Sequence, residues 1–149
     1  MSPEGGSVIF SRCPRGIDRK RVRAFHQRLL HEVTPGASFT CLLTNDAELQ
    51  RLNFQFLNHD YPTDVLSFPS GDPILLGDLA ISVDRARHQA AEFGHSLEEE
   101  IEILMLRGAL HLLGMDHETD RGAMARKETA WRKKLGLVTS LIARARRAK

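Results

Sequence analysis

An α+β layer fold is predicted from three observations on this chain. Helix-like and strand-like stretches are interspersed without strict β-α-β alternation, no glycine-rich phosphate loop follows a strand, and one long apolar run, Ile103–Leu113, marks a helix apolar on almost every side. Such a helix has to be buried. At 149 residues, with no internal repeat, low-complexity segment or linker, the chain reads as one domain over 1–149, ending in a basic tail at about 137–149. A chain of this size buries about two thirds of its unfolded surface, enough for a real core.

Taken in order, Ser7–Phe10 is short and apolar and reads as a first strand. Ile17–Val33 carries Val22, Phe25, Leu29, Leu30 and Val33 on one side with arginines opposite, the pattern of an amphipathic helix, and Thr34-Pro35-Gly36 stops it. Phe39–Leu43 reads as a strand. Asn45, with Glu48 three residues on, caps a helix that presents Leu49, Leu52 and Phe56. Pro62–Pro69 is β-rich, and turn-prone Ser70-Gly71-Asp72-Pro73 separates it from a second strand, Gly77–Val83, so an antiparallel hairpin of unspecified register is expected. Asp84 is read as the cap of a helix through Phe93, stopped by Gly94, and Ser96 with Glu99 forms a capping box for the central helix. Glu118–Lys134 has helical periodicity through Met124, Thr129, Trp131 and Leu135 and ends at Gly136, with a short final helix expected from Leu137, Val138, Leu141 and Ile142.

Composition excludes more than it assigns. Cys13 and Cys41 are the only cysteines and have no ligand spacing, which fits reduced thiols rather than a disulfide framework. The amino terminus lacks the pattern of a leader and no eighteen-residue apolar stretch occurs, so a cytoplasmic protein without membrane association is expected. A net charge of +2 does not announce a nucleic-acid binder. Its distribution is more informative: Arg12, Arg15, Arg19, Lys20, Arg21, Arg23 and Arg28 gather early, Arg132, Lys133, Lys134, Arg144, Arg146, Arg147 and Lys149 late, with Glu98, Glu99, Glu100 and Glu102 between. Such runs either meet RNA phosphates or form solvated helix faces. His26 and His31 are taken as surface or packing residues, and His88 and His95 lie outside the central motif.

The chemistry concentrates in Arg107–Asp120, RGALHLLGMDHETD. Arg107 and His111, four apart, share one helix face. His117 follows His111 by six residues, which on a continuing helix would rotate it roughly 120° off that face. Gly114 can end the helix in a left-handed conformation and let Met115, Asp116 and His117 fold back, so that two imidazoles converge on one cation. His-x-x-Gly-x-x-His is the second half of the extended zinc-protease motif, but the places of its first His and its Glu hold Arg107 and Gly108, so peptide hydrolysis of that type lacks its base.

LRGALHLLGMDHE resembles, except at one place, the HGxLHLxGxDH signature of the YbeY family of bacterial ribosomal-RNA maturation endoribonucleases. Two further blocks agree in order and spacing, LNFQFLNHDYPTDVLSFP from Leu52 and GDLAISVDRARHQAAEFGHS from Gly77, so the resemblance spans about Asn45 to Glu118. It implies a small mixed sheet packed by helices, the central helix carrying the His-x5-His metal motif. It also implies a metal-dependent, single-strand-specific endoribonuclease acting in maturation of the small-subunit ribosomal RNA 3′ end and in ribosome quality control. The implied cofactor is one zinc ion, held by His111 and His117; Asp116 either orients one of its ligands or is a helix-end or surface carboxylate. Implied partners are ribosomal RNA and the ribosome or its associated proteins.

Two departures matter. Arg107 stands where the family has the first of three metal-binding histidines, and Phe56-Leu57 where it has Tyr-Arg. A guanidinium has no lone pair to offer a metal. Spreading the roughly 10–16 kcal/mol of a four-ligand zinc site over its ligands makes each worth about 3 kcal/mol, so the remaining pair would hold zinc roughly a hundredfold more weakly. Three readings of Arg107 stand: an anchor for phosphate in the transition state, a partner for a carboxylate such as Asp116 or Glu118 closing a vacated site, or a side chain snorkelling to the surface. The functional alternatives are a catalytically weakened member that binds ribosomal RNA or the ribosome without cutting, and a hydrolase that recruits His59, His95 or Asp120 as replacement ligand.

Overall fold

The structure, a computed structural model, describes residues 7–61, 63–114 and 122–137. Among these, four strands and five helices follow in the order β1 (Val8–Phe10), α1 (Arg19–Glu32), β2 (Ser38–Thr44), α2 (Asp46–Leu57), β3 (Val65–Pro69), β4 (Leu75–Ser82), α3 (Val83–Phe93), α4 (Leu97–Leu112) and α5 (Ala123–Leu135). The sheet runs β1-β2-β4-β3. β1 pairs with β2 and β2 with β4 in parallel, and β3 returns antiparallel to β4, which makes the sheet mixed and the fold α+β. The hairpin register left open by the sequence pairs Val65 with Ile81 and Phe68 with Asp78. A bulge after the Ser38–Leu75 pair shifts β4 by one residue, and Gly77 takes φ 135° there; a β-carbon at Gly77 would lie 2.2 Å from the Phe68 carbonyl oxygen.

α4 is the central helix. Ile101, Ile103, Leu104, Met105 and Leu106 are completely buried, in one cluster with α1, β2, β4 and the end of α5. Its start is the expected box, with Glu99 N donating to Ser96 Oγ at 3.1 Å. Asn45 likewise caps α2, accepting from Glu48 N at 2.9 Å. Gly94 and Gly136 end α3 and α5 with φ of 72° and 78°.

Two expectations are corrected. Ser82, not Asp84, caps α3, accepting from Arg85 N at 3.1 Å; Asp84 lies one residue inside the helix and accepts from Asp46 N at 2.8 Å, tying α3 to the start of α2. On α5 the buried stripe is Met124, Glu128, Arg132 and Leu135, while Thr129 is exposed. Two charged residues sit on the inner face because they pair with each other, and sequence periodicity discounts charged residues. That helix starts at Ala123, because Gly122 before it takes a left-handed φ of 83° that breaks a run from Glu118; Glu118 itself, and the helix expected from Leu137 except for Leu137, lie outside the described residues. Both cysteines are free thiols, and among the described residues no helix is long and apolar enough to cross a membrane.

His26 is a packing residue, as expected: its Nε2–H donates to the Phe39 carbonyl at 2.8 Å and its ring meets the Phe39 ring edge-on. His31 is exposed.

Candidate active site along the β3 edge

α4 passes close over the sheet at Gly108. A β-carbon there would stand 2.7 and 2.8 Å from the two δ-methyls of Leu79 on β4, so hydrogen at that position is what lets the last turns of α4 settle on the strand. Arg107 and His111, flanking this contact, are thereby set against β3. A cavity of about 460 Å³ opens between them, walled by β3 residues, by Leu57 at the end of α2, by Arg107, Gly108 and His111, and by Met124 of α5. Of the positions at which the chain departs from the motif, 57 and 107 thus border one cavity, while Phe56 lines a different one.

His111 is exposed in the last turn of α4, and Gly114 beyond it has φ 95°, the left-handed bend expected of it. Gly114 N donates to the His111 carbonyl at 2.9 Å, closing the turn. His117 and Asp116 lie outside the described residues, so the convergence of the two imidazoles does as well. Arg107 does not point freely to solvent; its expected pairing with Asp116 or Glu118 lies outside the described residues, and the partners described are two other carboxylates. Its Nε donates to Glu128 Oε1 of α5 at 3.3 Å, and its Nη1 lies 4.0 Å from Asp64 Oδ2, just before β3. Glu128 is in turn held by Arg132 Nη2 on its other oxygen. Arg107 is 30% exposed and is one of the residues that wall the cavity.

Asp64, Glu128 and Arg132 are the residues the sequence reading missed. The signal for the last two was their i, i+4 spacing with each other and with Met124, which places all three on one helix face. Asp64 is brought to Arg107 by tertiary contact alone.

The two histidines offered as replacement ligands are placed elsewhere, and Asp120 lies outside the described residues. His95 Nε2 is 2.6 Å from Glu100 Oε1, with both side chains buried at the start of α4, about two turns before Arg107. His59 stacks on Tyr61, with ring centroids 5.3 Å apart. Neither lines the cavity. Among the described residues no three His, Cys, Asp or Glu side chains are grouped so as to hold a metal ion. The imidazole described at the cavity is that of His111; Arg107 has no lone pair for a metal, and the second expected ligand, His117, lies outside the described residues.

The endoribonuclease YbeY family profile matches residues 12–136. The chain belongs to the YbeY family. An endoribonuclease YbeY from Solibacter usitatus is 62% identical over 143 residues, covering 96% of this chain and 97% of that protein. Another from Koribacter versatilis is 42% identical over 92% of this chain and 90% of the relative. The solution structure of TM1509 from Thermotoga maritima superposes with a TM-score of 0.62 at 26% identity, covering 86% of this chain and 88% of that one. The YbeY match includes α2, β3, α4 and α5, and with them every described wall of the cavity.

Proposed function

We propose that this chain is a single-strand-specific endoribonuclease of ribosomal RNA, acting in maturation of the small-subunit RNA 3′ end and in ribosome quality control, with ribosome-associated proteins as partners. The endoribonuclease reading rests on membership of the YbeY family; the observation that carries the site assignment is that Leu57, Arg107 and His111 border one cavity. In this reading Arg107 is the phosphate-binding residue. Its fork of donors matches a phosphoryl group, and Glu128 and Asp64 orient it without covering it. Charge building on the phosphoryl oxygens in the transition state strengthens that contact more than it strengthens ground-state binding. The side chain supplies from α4 the positive charge that the family pattern places at position 57, where this chain has leucine.

His111 and His117 are proposed to hold one zinc ion, with affinity lowered by the missing third ligand, and Asp116 to orient an imidazole. When bound, such an ion acts as a Lewis acid toward a phosphoryl oxygen or acidifies water.

A second reading is a family member that binds ribosomal RNA or the ribosome without cutting it. The observation favouring it is the Arg107–Glu128 ion pair, which anchors a cation in the corner where a third ligand would stand. One assay separates the two: purified protein with zinc, incubated with single-stranded RNA, beside His111→Ala and Arg107→His variants. Cleavage by the parent that His111→Ala removes supports catalysis, and RNA binding without cleavage supports the second reading.

A further inference from the structure

The early basic run divides into two kinds of side chain. Arg21 and Arg28 are ion-paired, with Glu102 at 2.9 Å and Glu32 at 2.8 Å. Arg19 and Arg23, one turn apart on the exposed side of α1, make no such pair among the described residues. Both guanidinium groups stand over the same ring, 4.7 and 4.8 Å from the Phe10 centroid. From α3, Arg87 Nη2 donates to the Arg15 carbonyl at 2.6 Å, in the turn between β1 and α1. Arg19 and Arg87 both act electrostatically on Cys13 in that turn, which places them on the same side of the molecule. The turn itself is forced, since Arg12 takes φ 52°, a conformation that side chains with a β-carbon rarely adopt.

Two like charges fixed on one ring repel each other, and an anion between them relieves this. We propose that Arg19 and Arg23, stacked on Phe10, with Arg87 against the turn that precedes α1, form a second binding surface for single-stranded RNA, gripping the phosphate backbone away from the cavity. Planar guanidinium forks take phosphate oxygens in pairs, and an arginine plane resting on an aromatic ring is also a platform for a base. Phe10 packs against the same core cluster as α4, so this surface lies on the helical side of the sheet that also carries the cavity. β1 is three strand spacings from β3, roughly 14 Å, a span that a strand of several nucleotides covers. The choice of RNA as ligand rests on the family reading above.

The test is fluorescence anisotropy of a labelled oligouridylate with the full-length protein over a salt series. Arg19→Gln/Arg23→Gln should weaken binding about tenfold at low salt and flatten the log–log salt dependence by about 1.4, at roughly 0.7 per phosphate neutralised. Arg19→Lys/Arg23→Lys should keep the slope, because charge sets it. Cleavage of a dinucleotide, too short to reach the surface, should be the same in parent and both variants. A glutamine variant with parental slope and affinity overturns the proposal. So does one that loses binding to phosphatidylserine vesicles while keeping RNA, which would make this a membrane-facing surface. Failure of cleavage in every protein would instead count against the nuclease reading and leave this one standing.

Discussion

Arg107 and Leu57 form a pair whose chemistry a double substitution can reverse. Arg107→His restores a nitrogen ligand on the face of His111 and removes a cation from beside the metal position; Leu57→Arg returns the guanidinium to the other wall of the same cavity. The double variant is expected to purify with about one zinc per chain, while the parent holds it roughly a hundredfold more weakly and each single change achieves less. Elemental analysis after dialysis reads this directly, and unchanged zinc in the double variant would remove Arg107 as the explanation. A second residue sets a pH dependence. Burial holds His26 below its ordinary pKa of 6.5, opposed by its hydrogen bond to the Phe39 carbonyl. The folded state therefore keeps this ring neutral while the unfolded chain takes up a proton. Its contribution to stability is complete above pH 6.5 and declines as pH falls below that value toward the folded-state pKa. His26→Gln should flatten the loss of Tm between neutral and mildly acidic pH, as thermal denaturation followed by circular dichroism would show.

At the scale of elements, what the sequence displays is periodicity and capping, and what it hides is which charged groups meet. Asn45 and Ser96 were legible because a capping side chain and the backbone N–H that donates to it lie three residues apart. The buried stripe of α4 was legible because apolar residues dominate it. Glu128 was not, because its place on the inner face of α5 depends on Arg107 and Arg132, and one of those belongs to another helix. The cap of α3 was misplaced by two residues for a related reason: Ser82 also belongs to β4, and a strand that runs straight into a helix leaves no turn to mark the boundary. Gly108 shows how an element contact sets the site. In Gly108→Ala the gain in helix propensity, about 1 kcal/mol, is outweighed by forcing a methyl against the buried Leu79 side chain, an overpacking cost of about 1–3 kcal/mol. We expect a net loss of about 1 kcal/mol in urea denaturation. Measured in a Leu79→Ala background, itself destabilised, Gly108→Ala should cost less than it does in the parent, because the two side chains compete for one space.

At the scale of the whole molecule, α5 joins the cavity to the core. Met124, Leu135 and Leu137 are buried in the cluster that contains α1 and α4, and Glu128 on the same helix holds Arg107. We propose on this basis that the chain unfolds as a single cooperative domain, since releasing α5 would expose core surface and free Arg107 together. Trp131, the single tryptophan, is partly buried against the cluster and reports on α5 alone, whereas far-UV circular dichroism reports on all the helices. Fluorescence and circular dichroism should therefore give the same midpoint in urea. Charge reversal at the junction sharpens the comparison. Glu128→Lys sets a third cation beside Arg107 and Arg132 in a position 7% exposed, and should destabilise by about 3 kcal/mol or more, moving both midpoints down together. A Trp131 transition that separates from the helical one, in the parent or in this variant, would show that α5 detaches as its own unit. The orientation of Arg107 would then be governed by a local equilibrium rather than by the fold.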